Sequence, residues 1–150
     1  MSPAGPDEAP VPGIARRLAS MFYESLLLFA VAFAATGLFF VASGGASTGG
    51  WQRHALQAYL LAVFAAYFLW CWLRNGQTLA MKAWRIRLVY PGWTRVPAGR
   101  ALARFALAAL LVPTGISILW ALLDRDRQFL HDRLAGTRLV LVARKPRAAA

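Results

Sequence analysis

The chain has 150 residues, enough for one compact unit and short for two. Its residues are 59 % hydrophobic and only 15 % charged, which argues against an ordinary water-soluble domain. The 17 Lys and Arg against 6 Asp and Glu give a formal charge of +11, a balance that in a soluble protein would suggest nucleic acid. Here the basic residues lie outside long apolar runs, as loops facing anionic lipid headgroups require, so a lipid bilayer replaces nucleic acid as the expected partner.

Residues 1–13 carry Pro3, Pro6, Pro10 and Pro12 with few large apolar groups and read as a disordered leader. Arg16 and Arg17 then precede an apolar run over 18–43. That run is too long for a secretory signal's core of roughly 7–15 residues and carries Glu24, so a spanning anchor is expected. Met21 to Val41 meets the length of about 20 helical residues needed to cross the hydrocarbon core. The segment SGGASTGG (43–50) reads as a turn, Trp51 as an interface marker, and Ala55 to Leu73 as a second span. Tyr59 near one end and Tyr67, Trp70 and Trp72 near the other suit an aromatic belt. Ala30 and Ala34 in the first helix, and Ala58, Ala62 and Ala66 in the second, recur every fourth residue, which suits close helix packing in lipid. A transmembrane hairpin follows. Cys71 is the single cysteine, which excludes an intramolecular disulfide and reads as packing.

The loop between the spans carries only Arg53 and His54, whereas Arg16 and Arg17 precede the first span and Arg74, Lys82, Arg85, Arg87, Arg95 and Arg100 follow the second. The positive-inside bias places both flanks, and the N-terminus, in the cytoplasm. A third apolar run, Phe105 to Leu123, is long enough to span, but Pro113-Thr114-Gly115 interrupts it and the tail beyond it is rich in arginine. It either spans or re-enters, and re-entry satisfies the charge rule. Trp84 to Val89 alternates as a strand ending at Pro91-Gly92, and Arg138 to Val142 is a second strand pattern. Two isolated strands persist only if they pair, which requires them to lie on one side of the membrane. The fold expected is an all-α polytopic membrane protein: a two-helix hairpin, a third apolar segment that spans or re-enters, and a small cytoplasmic β pairing. Residues 14–143 form the membrane domain and 144–150 a basic, alanine-rich tail.

Glu24 carries the most information. A charged group at the centre of a spanning helix costs about 2.5–3.5 kcal/mol on insertion scales, less near an end. Arg17 lies on nearly the same helix face but roughly 10 Å away along the axis, so Arg100 or Arg104 is the expected partner. Either the carboxylate locks helices together as an ion pair, or it binds protons or ions in a pathway. His131-Asp132 has the donor types for a metal but no further His or Cys beside it, which leaves Asp132 as a turn cap or the partner of a basic loop residue. The sequence has no nucleophile elbow, phosphate-cradling loop or metalloprotease helix, so neither an enzyme nor a cofactor is expected.

Three stretches resemble the RDD family of bacterial membrane proteins, named for one arginine and two aspartates: Arg16-Arg17-Leu18; Gly76-Gln77-Thr78-Leu79 followed by Met81-Lys82-Ala83-Trp84-Arg85; and the closing run from Leu130 to Thr137. The likeness runs from about Ile14 to Val142, and its closing motif, which places the second aspartate at Asp132, is the most specific piece. Glu24 stands where the family has its first aspartate, and Ala80 where it often has glycine. The resemblance implies a multi-pass inner-membrane protein in which Arg17, Glu24 and Asp132 form the charge network, with Arg104 and His131 as secondary members. The family's role is largely undefined, and transport or ion exchange has been proposed within it. Transport of ions or small solutes by a homo-oligomer, or together with other membrane proteins, is the first expectation. A scaffold or assembly factor whose basic face binds partners or anionic lipid is the second.

Overall fold

The computed structural model describes residues 10–45, 49–93 and 95–142. Two long helices come first: α1 (Ile14–Ala42) and α2 (Trp51–Asn75). At 1.5 Å per residue they are about 43 Å and about 37 Å long, more than the hydrocarbon core demands. Both are also apolar enough to cross a membrane. Their outer faces present large apolar side chains such as Phe29 and Phe33, 73 % and 77 % exposed on the chain alone. Apolar surface of that extent faces lipid rather than water.

The two helices pack as the expected hairpin, with the Phe39 and Tyr59 rings 5.7 Å apart. The alanine stripes do not form this contact. Ala30, Ala34, Ala58, Ala62 and Ala66 are all exposed, and the Phe39–Tyr59 ring contact joins the helices instead. The aromatic belt is also only partly correct. Trp51 and Trp70 are exposed, but Trp72 is buried and Tyr67 turns inward toward α1.

Everything after α2 folds back around its far end. Gly76 closes α2 in the left-handed conformation (φ +66°), and Thr78 caps α3 (Leu79–Ala83) by accepting from the Met81 amide at 3.2 Å. Strand β1 (Ile86–Val89) follows. It starts two residues later than its alternation suggested, because Trp84 ends α3 and Arg85 takes a positive φ of 55°. Helix α4 (Ala98–Leu111) stops before Pro113, whose missing N–H and ring bar continuation. Gly115 (φ +74°) then opens α5 (Ile116–Leu123), bent by 102° from α4. The break falls on the Pro-Thr-Gly interruption. Helix α6 (Leu130–Ala135) leads into β2 (Arg138–Leu141), which pairs antiparallel with β1 from Ile86 opposite Leu141 to Val89 opposite Arg138. This pairing returns the chain to the end of the hairpin from which it left.

The hydrophobic core lies at that end, built from Trp72, Met81, Ile86, Leu88, Phe105 and Phe129 among others. The leader joins it. Residues 1–9 of the expected disordered segment lie outside the described residues, but Pro12 is fully buried and the Pro10 carbonyl accepts from the Leu141 amide at 2.9 Å. Of the basic tail, residues 144–150 lie outside the described residues.

Candidate functional site: a buried charge cluster below an apolar cleft

Where the hairpin meets the folded-back segment, four charged side chains are withdrawn from solvent: Arg17, Glu24, Arg104 and Asp132. Removing one charge from water costs several kcal/mol, so each must be held by specific partners.

Arg17 stands in the first turn of α1, with the buried Pro12 just ahead of the helix. Its Nε donates to the Pro12 carbonyl at 2.9 Å and its Nη1 to the carbonyl of Arg127, while the guanidinium sits 5.7 Å from the centre of the Phe129 ring. Arg127 holds a left-handed backbone (φ +52°), an unfavoured conformation for a residue with a Cβ, in the loop that meets Arg17. No carboxylate lies within ion-pair distance of Arg17 among the described residues, and its Nη2 is buried without a hydrogen-bond partner there.

Glu24 follows two turns later on the same face. Tyr67 of α2 donates to its Oε1 at 2.8 Å, and the Thr78 hydroxyl donates to its Oε2. Thr78 thus serves twice, because the oxygen that donates to Glu24 also accepts from the Met81 amide in the first turn of α3. The expectation that Arg100 or Arg104 pairs with Glu24 is incorrect. Arg100 is exposed, and Arg104 is engaged elsewhere. Two hydroxyls, not a cation, hold this carboxylate.

Arg104 donates through Nε to Asp132 Oδ1 at 2.7 Å and lays its guanidinium over the Trp72 ring, 4.2 Å from the centroid. Asp132 is fully buried. Its basic partner comes from helix α4 rather than from a loop, and it caps no turn with its side chain. Beside it, His131 Nδ1 lies 2.7 Å from the Ser117 hydroxyl of α5, and the ring stacks on Phe129 at 5.5 Å and 11°. The Ser117 oxygen also receives the His131 amide at 3.5 Å. Burial lowers the His131 pKa to about 4, against a partial opposing pull from Asp132. The ring is therefore neutral at pH 7, and its 3.6 Å approach to Asp132 is not an ion pair. Arg133, half exposed, bridges Asp124 and Asp126 at 3.0 and 3.3 Å, and such surface pairs contribute little.

Above the cluster a cleft of about 440 Å³ opens between α1, α2 and α4. Arg17, Glu24, Arg104 and His131 line its lower end, and Leu28, Leu61, Phe64 and Val112 its upper walls. Asp132 sits behind Arg104. The structure thus gathers four of the five expected positions around one cavity and ties the fifth to them. Sequence reasoning missed Tyr67, Thr78, Ser117 and Trp72. Thr78 had a signal, since it stands in capping position before Leu79. Tyr67 had one too, since a phenol within an apolar run needs a polar partner. Among the described residues, no group of three His, Cys, Asp or Glu side chains is placed to hold a metal ion.

Comparison with known proteins places this architecture. An uncharacterized protein of Rickettsia prowazekii (strain Madrid E) is 32 % identical over 77 residues, covering 51 % of this chain and 43 % of that one. The chain therefore spans less than half the length of that relative. No solved structure matches. The RDD family's sequence pattern matches residues 11–136, which takes in α1 through α6 and the whole charge cluster. This membrane-embedded chain belongs to the RDD family.

Proposed function

We propose that the protein resides in the bacterial inner membrane with its N-terminus in the cytoplasm, and that it contributes to movement of ions or small solutes rather than acting as an enzyme. Glu24 is the group that binds the travelling proton or cation. The observation that carries this reading is the environment of Glu24: a carboxylate buried in a spanning helix, held by two hydroxyls, with no basic side chain within ion-pair distance among the described residues. A purely structural carboxylate would be expected beside a guanidinium, as Asp132 is. Hydroxyl partners suit a carboxyl group that exchanges a proton or a hard cation, and such a group can become neutral inside the membrane.

The exposed Arg16, Arg85, Arg95, Arg100 and Arg125 support the orientation, since they cluster on segments that fold to one end of the hairpin. They suit anionic headgroups, with no nucleic acid invoked. The outward alanine stripes of both long helices support association with a second copy or with other membrane proteins.

The same basic face favours one other reading, a scaffold that recruits partners or anionic lipid without transporting. Purified protein in liposomes separates the two. Transport predicts proton or cation flux under a gradient in the wild type, and loss of that flux in Glu24→Gln with insertion unchanged. Wild-type liposomes that move nothing under any cation gradient would favour the scaffold.

A further inference from the structure

Both hydroxyls that hold Glu24 also meet the start of α3. Thr78 Oγ1 donates to Glu24 Oε2 while accepting from the Met81 amide at 3.2 Å, and the Tyr67 oxygen, which donates to Oε1, lies near the Leu79 amide. Leu79 and Met81 are the first and third residues of a five-residue helix, whose opening amides have no partner within the helix. Two chains of bonds therefore run from a backbone N–H through a hydroxyl to one carboxylate, and bonds in such chains polarise one another. Thr78 and Glu24 are both buried, so neither can turn to water for a substitute. An ionised carboxylate only accepts, which fixes both hydroxyls with their protons toward Glu24 and their oxygens toward α3. A neutral carboxyl group carries a donor on one oxygen. The hydroxyl facing that oxygen must reverse, and its own proton then points to the side from which the α3 amide donates.

We infer that Tyr67 and Thr78 are positioning residues that couple the charge on Glu24 to α3, so that neutralising the carboxylate frees the opening amides of α3 and loosens that segment. The effect does not stop at the helix. Gln77 Nε2 donates to the Ile86 carbonyl at 2.7 Å and the Leu88 amide to the Gly76 carbonyl at 2.7 Å, which closes α3 as one loop against β1. A change at Thr78 therefore reaches β1 and, through the strand pairing, β2. The side chains that face Glu24 are Tyr67 and Cys71 from α2, Thr78 ahead of α3 and, at longer range, Arg104 from α4, with Arg17 two turns down its own helix. The coupling rests on the reading of Glu24 given above only in that the carboxyl group changes charge, and it can be measured in detergent with no gradient.

The test follows amide hydrogen exchange by mass spectrometry on the full-length chain in a neutral detergent. Glu24→Gln imitates the neutral carboxyl group, with one acceptor and one donor. The amides of α3 should exchange about tenfold or more faster in Glu24→Gln than in the wild type at the same pH, while those of α6 keep their rate. Lowering the pH on the wild type, with the intrinsic exchange rate divided out, should reproduce the rise as a step that Glu24→Gln does not show. Thr78→Ser, which keeps the hydroxyl, should keep the step, and Thr78→Val should exchange fast at every pH. If Glu24→Gln does not fold, the step in the wild type and in Thr78→Ser, set against its loss in Thr78→Val, decides the matter. Equal α3 exchange in the wild type and Glu24→Gln would overturn the inference. So would an equal rise in α6, because general loosening would then account for the change. A chain that moves no ion in liposomes yet shows the α3 difference loses the flux reading alone, and a chain that transports with α3 indifferent to Glu24 loses this coupling alone.

Discussion

Arg104 Nε lies 2.7 Å from Asp132 Oδ1, and this pair ties α4 to α6 with one side chain fully buried and the other nearly so. The guanidinium also rests on Trp72, so one cation fastens α4 to both α2 and α6. Replacing a partner leaves the other charge buried and alone, which typically costs about 3–5 kcal/mol. Asp132→Asn is therefore expected to lower the unfolding temperature in detergent sharply or to prevent folding. The double variant Arg104→Met with Asp132→Leu should recover most of that loss, because an apolar pair of similar size replaces the charges without stranding either. Equal stability of wild type and Asp132→Asn would contradict the assignment.

A pH dependence follows from His131. Its folded-state pKa, lowered by burial to about 4 from the ordinary 6.5, means that the unfolded chain binds a proton between those values while the folded chain does not. Stability from this group is complete above pH 6.5, declines as the pH falls toward 4, and is flat below. The full loss is on the order of 3 kcal/mol. The groups that face the ring are Ser117, Asp132, Arg104 and Arg17, and the two arginines oppose its protonation. Unfolding temperature measured from pH 7.5 to 4 should fall in the wild type and fall less steeply in His131→Asn. Parallel profiles would assign the acid sensitivity to other groups.

Gly76 is required by space as well as by conformation. Its φ is +66°, and a Cβ there would lie 2.6 Å from the backbone oxygen of Leu88, whose own amide donates to the Gly76 carbonyl at 2.7 Å. Gly76→Ala should destabilise by at least about 2 kcal/mol through both effects. Gly37→Ala, on an open stretch of α1 with nothing within 4 Å of the new methyl, should be neutral or mildly stabilising. Thermal unfolding of the two variants side by side checks the contrast.

Sequence alone carried much of the fold, for identifiable reasons. Spans of this length leave a signal that few other structures imitate, and Pro113-Thr114-Gly115 marked the bend because proline and glycine act through the backbone. The strand pairing was legible from alternation and from the requirement that lone strands find partners. The alanine stripes misled because periodicity shows which residues share a helix face but not which face meets a neighbour. Glu24 was legible as unusual, but its partners were not. Tyr67 and Thr78 stand 43 and 54 positions away, and attraction between opposite charges was the wrong guide where hydroxyls supply the hydrogen bonds. Pro12 and Arg127 offer only backbone oxygens to Arg17, and no side-chain pattern announces a carbonyl.

α3, α6 and the β pairing can close around the base of the hairpin only if the chain returns to the side from which it entered. Single cysteines at Arg16, Trp51, Arg100 and Asp126, each exposed, can be placed in a Cys71→Ser background and labelled in intact cells with a membrane-impermeant maleimide. Position 51 should label from outside, while positions 16, 100 and 126 should stay protected until the membrane is opened. Labelling of position 126 from the same side as position 51 would make α4 and α5 a third crossing and contradict the account.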